Sequence, residues 1–317
     1  MIGKKKLLLI NEPHPYFLER MEVLGFDCLQ HYSSPRKLVL NLLKECTGVL
    51  VRSRLQIDKE FLDLGSHLDF VARYGVGTEH IDLDYASALN IPVFTSPEGS
   101  MDTVAEHAVG MLLMLMNKLA KANREVKHDV WSREPNRGVE IKGKTVGILG
   151  YGNMGTAFAQ RLQGFQAKVI TYDKFKNNYG DEFAEQVSLE TLQEESDIIS
   201  IHIPYLPENR HFIDKHFIEK CRKKPYVINT ARGTVLNTAD LVEGLKKGQI
   251  SGAALDVLEY EEMSFSKLSL ADLPAPFHYL KRADNVVLSP HIAGWSMESK
   301  LGHAKVLADK IEALYSK

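Results

Sequence analysis

The chain has 317 residues, 44% of them hydrophobic and 25% charged, with a formal net charge of −2. That length exceeds one ordinary core and predicts two domains, and the composition excludes a disordered or fibrous chain. A near-neutral charge with no basic block beyond Lys4–Lys6 excludes a nucleic-acid footprint, and Cys28, Cys46 and Cys221, lacking any CxxC spacing, read as reduced thiols of a cytoplasmic protein, not as a disulfide frame or zinc site.

The apolar run Leu7–Ile10 is too short for the core of a signal peptide, because Asn11-Glu12 follows at once. It predicts a strand instead. YFLERMEVLGF, from Tyr16, then shows apolar residues near helical spacing with a glycine at its end. Gly48–Val51, Asp69–Gly75 and Ile91–Ser96 predict further strands with helical stretches between them. This βα alternation indicates a parallel sheet covered by helices. A long helix is predicted from Thr103 to about Val126, capped by Asp102 or Thr103, with Glu106 placed for a capping box. Its middle is apolar nearly all round, so it is buried on most sides, within the chain or partly against a second subunit. The run Ala108–Met116 falls far short of the ~20 residues that span a membrane.

A second α/β unit begins at GKTVGILG. Strands are expected at Ala167–Asp173, Asp197–Ile203, Pro225–Ala231, Ser251–Val257 and Asn285–His291, with helices between. Asn237 or Thr238 caps one of these helices and Gly248 stops it; the chain closes on a helix from Met297. The stretch from Tyr260 to Asn285, with Pro274 and Pro276, is long for a loop and implies either function or a short helix inside it.

Gly150-Tyr-Gly152-Asn153-Met154-Gly155 follows an apolar strand and opens a helical pattern, and Asp173 ends the next strand 18 residues after Gly155. A bare GxGxxG is weak evidence; in this context it is a dinucleotide fingerprint. Gly150 allows the tight turn, Gly152 lets the backbone approach a pyrophosphate, and Gly155 lets helix and strand pack closely. The helix start, with Asn153 and Met154, offers free N–H groups to the phosphates. Asp173 accepts from the ribose hydroxyls and repels a 2′-phosphate, which favours NAD, while Lys174 and Lys176 keep NADP open.

Arg232 stands directly behind the Pro225–Ala231 strand, where an open α/β sheet binds ligands, and suits a carboxylate held by two parallel hydrogen bonds. Asp256 ends another strand and is followed by Glu259, Glu261 and Glu262; His291 ends the last one. A carboxylate beside an imidazole orients it and stabilises its protonated form. A histidine so held can exchange a proton with a substrate oxygen as hydride moves. Spacing alone leaves open which acid pairs with His291.

In RYGVGTEHID (Arg73–Asp82), TVAEHAVGMLL (Thr103–Leu113), GKTVGILGYGNMG (Gly143–Gly155), HIPYLPENR (His202–Arg210), NTARG (Asn229–Gly233), GAALDVLEYE (Gly252–Glu261) and SPHIAG (Ser289–Gly294), the chain resembles the D-isomer-specific 2-hydroxyacid dehydrogenases over nearly its whole length. The resemblance implies an α/β fold of two doubly wound parallel-sheet domains. A Rossmann NAD-binding domain, residues 101–291, is inserted in a flavodoxin-like substrate domain, residues 1–100 completed by 292–317, with the active site between them. It implies catalytic roles for Arg232 on the substrate carboxylate and carbonyl, Glu261 holding His291, and His291 as proton carrier. It further implies that Thr103, His202, Pro204, Thr230, Ala231, Asp256 and Gly294 line the NAD site with the fingerprint residues. Arg52, Ser53, Val76, Gly77 and Ser100 would face the substrate, a small 2-hydroxy or 2-oxo acid, and the helix from Thr103 is similar to the family's dimer-forming segment, so a homodimer is expected.

The departures bear on substrate. Ser100 stands where many relatives carry Asn, Leu206 replaces a frequent Thr, Glu262 a frequent Pro, and Trp295 a small or polar residue. Candidate substrates are 3-phosphoglycerate, hydroxypyruvate and glyoxylate; Arg52, Arg54 and Arg133 are open to a distal phosphate or to ordinary surface duty. The alternative is an NAD(H)-sensing binding protein of the corepressor kind on the same fold. A formate dehydrogenase-like activity is disfavoured by Glu261, where that branch has Gln.

Overall fold

The computed structural model describes residues 5–261 and 269–316; Lys4 and Glu262 lie outside them. Two compact units emerge, one running to Ser100 and resuming at Trp295, the other holding the described residues from Met101 to Gly294. The changeover comes at Trp295, not at the expected Ile292, so Ile292–Gly294 stay with the second unit.

The first unit carries β1 (Lys5–Leu9), α1 (Pro15–Val23), β2 (Phe26–Gln30), α2 (Arg36–Leu43), β3 (Gly48–Val51), α3 (Lys59–Leu64), β4 (Phe70–Arg73), α4 (Leu83–Ala88) and β5 (Val93–Phe94). The strands form a parallel sheet in the order β2-β1-β3-β4-β5, the flavodoxin-like order. β3 and β4 are buried at every position, as parallel strands covered on both faces must be. Alternation along the strands divides the core. Leu7, Leu9, Leu50 and Phe70 pack with Phe17 and Met21 of α1 and with Leu307 and Ile311 of the C-terminal helix. Leu8, Val49 and Val71 pack with Val39, Leu43 and Phe61 on the other side. The helix expected across YFLERMEVLGF stops at Val23; Gly25, at φ 82°, turns the chain and Phe26 opens the edge strand β2.

The second unit runs α5 (Met101–Met116), α6 (Leu119–Lys127), β6 (Thr145–Leu149), α7 (Asn153–Leu162), β7 (Lys168–Tyr172), β8 (Glu185–Gln186), α8 (Leu189–Glu195), β9 (Ile198–Ile201), α9 (Lys215–Lys220), β10 (Tyr226–Asn229), α10 (Thr238–Lys246), β11 (Gly252–Leu255), α11 (Ala275–Leu280) and β12 (Val286–Leu288). Its parallel sheet has the order β12-β11-β10-β9-β6-β7-β8. Chain direction across the sheet reverses between β6 and β9, the switch point where doubly wound sheets bind ligands. α5 and α7 cover one face through Ala105, Leu112, Ala157 and Phe158; α8, α9 and α10 cover the other through Leu192, Phe217 and Leu241. α11 is the short helix foreseen inside the stretch from Tyr260 to Asn285. α12 (Met297–Tyr315) closes the chain and belongs to the first unit.

The long helix expected from Thr103 is two helices. α5 starts at Met101, so Thr103 and Glu106 lie inside it, not at a cap. It ends where Lys118 takes a left-handed φ of 53°, and α6 starts anew. Buried residues recur along α5, whereas α6 buries none. Beyond α6, Trp131 is 82% exposed, with Leu119, Val126 and Val130 also exposed. Among the described residues no helix is long and apolar enough to cross a membrane.

Burial holds three imidazoles, His80, His202 and His303, down at about 4 from an ordinary 6.5. Each is therefore neutral in the fold at pH 7. As pH falls, the unfolded chain takes up these protons first, so stability is full above about 6.5 and is lost progressively down to about 4. Each group adds a slope of up to ~1.4 kcal/mol per pH unit. Urea midpoints taken across that window should fall at near-constant denaturant slope; a flat profile would contradict it.

Candidate active site

The fingerprint lies at the switch point. Gly150 follows β6 at φ 89°, and a Cβ there would strike the backbone of His202 at the end of β9. A Cβ on Gly155 would collide with the Gly150 carbonyl oxygen, so this glycine is what lets α7 rise directly off the strand. Gly152 is different: no protein atom lies within 4 Å of its missing Cβ. Protein packing does not demand glycine there, which fits a cradle shaped for an approaching phosphate. No side chain caps α7 and no acid sits in its first turn, so the N–H groups of Asn153, Met154 and Gly155 and the positive end of the helix dipole remain for an anion.

Asp173 stands at the end of β7. Its Oδ2 accepts from the Tyr151 amide at 2.9 Å and its Oδ1 from the Phe175 amide at 2.9 Å. Each oxygen keeps a second lone pair for a ribose hydroxyl. Lys176, one of the two lysines that kept a 2′-phosphate open, donates to the Tyr151 carbonyl at 2.6 Å, and Lys174 lies over the Phe175 ring. His202 packs on Phe158 and bonds Ser200 Oγ at 2.8 Å; Pro204 is exposed. At the end of β10, the Thr230 hydroxyl is buried with no protein partner among the described residues. An orphaned hydroxyl at a carboxyl end of this sheet is a further mark of a ligand-binding position. Thr103 lies in the first turn of α5.

Arg232 is set by a turn that Asn229 braces from both sides. Asn229 Oδ1 accepts from the Ala231 amide at 3.0 Å, and its Nδ2 donates to the Arg232 carbonyl at 3.0 Å. Arg232 Nη1 donates to the Ala231 carbonyl at 2.7 Å, which anchors one arm of the guanidinium. His291 Nδ1 and Glu261 Oε2 are 2.6 Å apart, and Glu261 Oε1 accepts from the Leu258 amide. The pairing that spacing left open is therefore Glu261; Glu259 turns the other way, to His211 at 2.6 Å. The carboxylate thus engages the imidazole through Nδ1. His291 has φ 54°, a left-handed conformation that costs a residue with a Cβ about 1–2 kcal/mol.

Asp256 explains how that conformation is held. Its carboxylate is buried; Oδ1 accepts from Ser289 Oγ at 2.6 Å and the Ile292 amide at 2.9 Å, and Oδ2 from the Ala293 amide at 2.8 Å. His107 Nε2 stands 3.5 Å from Oδ1 and 3.2 Å from Ser289 Oγ. Burial alone would raise this carboxyl; the bonds from His107, Ser289 and the two amides outweigh it and hold it below the usual range. The Asp256 backbone carbonyl also accepts the His291 amide at 2.8 Å. Asp256, expected to line the NAD site, thus also clamps the His291–Ala293 loop, with Gly294 next along the chain. Asn229, His107 and Ser289 escaped the sequence reading. The signal for Asn229 and Ser289 was a small polar residue at a strand end; for His107 it was an imidazole at the start of a long apolar run in a helix.

In the first unit, the Arg73 guanidinium draws the Tyr74 and Gly77 carbonyls inward at 2.5 and 2.7 Å. The Val76 and Gly77 amides have no acceptor among the described residues, which suits them to an anion. Arg52 is fixed by Asn11 Oδ1 on its amide at 2.8 Å. Its guanidinium lies 5.9 Å from the Tyr74 ring and 5.3 Å from the Trp295 ring. Arg54 donates from Nη1 to the Ser34 carbonyl at 2.7 Å. Arg133 and Trp295 are exposed, Ser53 is half-buried and Ser100 is buried.

A family model described as D-isomer specific 2-hydroxyacid dehydrogenase, NAD binding domain, matches residues 109–293. The chain is 36% identical over 287 residues to a glyoxylate reductase of Thermofilum pendens, covering 88% of this chain and 81% of that one. It is 33% identical over 310 residues to a D-3-phosphoglycerate dehydrogenase of Archaeoglobus fulgidus, covering 96% of this chain but only 56% of that one. The solved D-lactate dehydrogenase of Aquifex aeolicus, complexed with NAD and lactic acid, superposes with a TM-score of 0.81 at 29% identity, covering 98% and 96% of the two chains.

Replacing Asp256 by Asn keeps the shape but sets an NH2 group against donors that need an acceptor. Stability at neutral pH should fall by roughly 1.5–3 kcal/mol, the worth of hydrogen bonds to a charged group. The Asp256 carboxyl is depressed in the fold, so its contribution is present above the unfolded value near 3.8 and lost as pH falls below it. The gap between wild type and variant should accordingly close at acid pH, as read from paired denaturation curves; a gap independent of pH would count against the clamp.

Proposed function

Since this chain belongs to the D-isomer specific 2-hydroxyacid dehydrogenase family, we propose that it interconverts a small D-2-hydroxy acid and its 2-oxo acid with NAD(H), His291 carrying the proton. The bonded pair of His291 and Glu261 at 2.6 Å is the observation that supports this most directly. NAD(H), when bound, donates or accepts the hydride at C2 of the acid. The α7 N-terminus and Asp173 would hold its pyrophosphate and adenine ribose, with Thr230 at the orphaned hydroxyl. In the reducing direction, protonated His291 gives the Nε2 proton to the C2 oxygen, with Glu261 holding the ring at Nδ1. In the oxidising direction neutral His291 takes that proton back. Arg232 fixes the carboxylate and polarises the carbonyl.

The substrate side draws support from Arg52. Its guanidinium has no hydrogen-bond acceptor among the described residues, and burial lowers its pKa. Two aromatic rings beside it leave the N–H edge for an anionic group on the substrate. That favours hydroxypyruvate 3-phosphate over glyoxylate or hydroxypyruvate itself. A homodimer is supported by the apolar surface of α6 and the residues after it, Trp131 foremost, which suits cover by a second copy.

NADH oxidation assayed against glyoxylate, pyruvate, hydroxypyruvate and its 3-phosphate tests the reading. Turnover of at least one is expected, and none would favour the NAD(H)-sensing alternative. His291→Asn, whose side chain tolerates the left-handed backbone, should lower kcat by ~10²–10⁴ with NADH affinity kept; unchanged turnover would remove His291 from the mechanism. Asp173→Ala should weaken NAD binding and narrow its advantage over NADP, and a constant ratio of the two would sink the ribose assignment.

A further inference from the structure

A second histidine–glutamate pair lies in the same unit and touches none of the reacting groups. His211 Nε2 stands 2.6 Å from Glu259 Oε1, and Glu259 Oε2 accepts the Thr238 amide at 3.0 Å, in the first turn of α10. Asn237, which caps α10, brings its Nδ2 to 3.5 Å from His211 Nδ1. The His211 amide donates to the Thr234 carbonyl at 2.9 Å, and Ile213 continues the pairing to Val235 at 3.0 Å. Glu259 thus ties together three loops: the one after β9, the Arg232 turn after β10, and the Val257–Glu261 loop after β11.

These loops carry the proposed chemistry at short range. Thr234 is two residues after Arg232, and Glu259 is two residues before Glu261. Between the two turns the fit is tight enough that a Cβ on Gly233 would collide with the Leu258 carbonyl. The turn of this irregular loop brings Glu259 to His211 and Glu261 to His291, so one segment is pinned by two histidines. Burial would raise the Glu259 carboxyl, yet the Thr238 and His211 bonds together hold it below its usual range. His211 makes this contact from a left-handed backbone, φ 53°, where glycine would be relaxed.

We infer that His211 and Glu259 form a positioning pair that fixes the loop of Glu261 against the turn of Arg232, so that the His291 partner and the substrate carboxylate anchor keep one spacing. The pair acts through Glu261 and contacts no substrate. This rests on the reading of Glu261 and His291 given above.

The test uses the unusual backbone at position 211. His211→Gly removes the side chain while relieving the left-handed strain, which offsets part of the lost bond to Glu259, so the thermal midpoint should fall only slightly. kcat should nonetheless fall about tenfold with KM for the 2-oxo acid changed less than twofold. His211→Gln, which keeps a donor for Glu259, should recover most of that loss. In a Glu261→Gln background His211→Gly should cost nothing more, because the residue it positions is already altered. Full kcat in His211→Gly, or the same tenfold loss in both backgrounds, overturns the proposal. Hydrogen exchange on the free protein reads the pair without any turnover. The Leu258 amide, bonded to Glu261, should exchange faster in His211→Gly than in wild type, and equal protection overturns the proposal even if every 2-oxo acid fails as a substrate.

Discussion

The arrangement of the second unit depends on one buried carboxylate. Asp256 leaves the end of β11 with its side chain enclosed and takes donors from Ser289, Ile292, Ala293 and His107. A carboxylate moved out of water is costly unless hydrogen bonds replace its hydration. Here they do, and two of the donors are backbone amides of the loop that carries His291. The desolvation of one anion is thereby coupled to the conformation of a neighbouring loop, and β11, β12 and α5 share in setting it. His291 then reaches Glu261 from a backbone it would not choose by itself.

Much of this was legible from residue types. The fingerprint was, because its glycines answer to steric demands the structure reproduces: a positive φ at Gly150 and a collision with backbone at Gly155. The strand ends were legible because buried parallel strands are largely apolar runs, as β6, β9, β10 and β11 are. The choice among the four acids near His291 was not, since it depends on which way successive side chains of an irregular loop turn. The bracing roles of Asn229, His107 and Ser289 were hidden for a related reason. Ser289 and His107 are 182 residues apart, and only the sheet order brings them within 3.2 Å. The break between α5 and α6 was invisible because a left-handed lysine leaves no mark in composition.

The two glutamates of the Val257–Glu261 loop show how a short segment serves two ends. Glu259 accepts from the N-terminus of a helix and a histidine on a separate loop, while Glu261 closes a turn onto Leu258 and meets His291. Short loops at the carboxyl ends of strands can hold polar groups firmly only when their backbone is tied off elsewhere, since nothing in the sheet ladder reaches them.

The left-handed backbone at His291 has a consequence for how this chain tolerates change. Glycine or asparagine would sit there with less strain, so at this position the most stable sequence and the present sequence differ. A screen for thermostable variants that ignored activity would drift toward those residues and return well-folded proteins without an imidazole at the site. On the proposed role, stability and chemistry pull this residue in opposite directions.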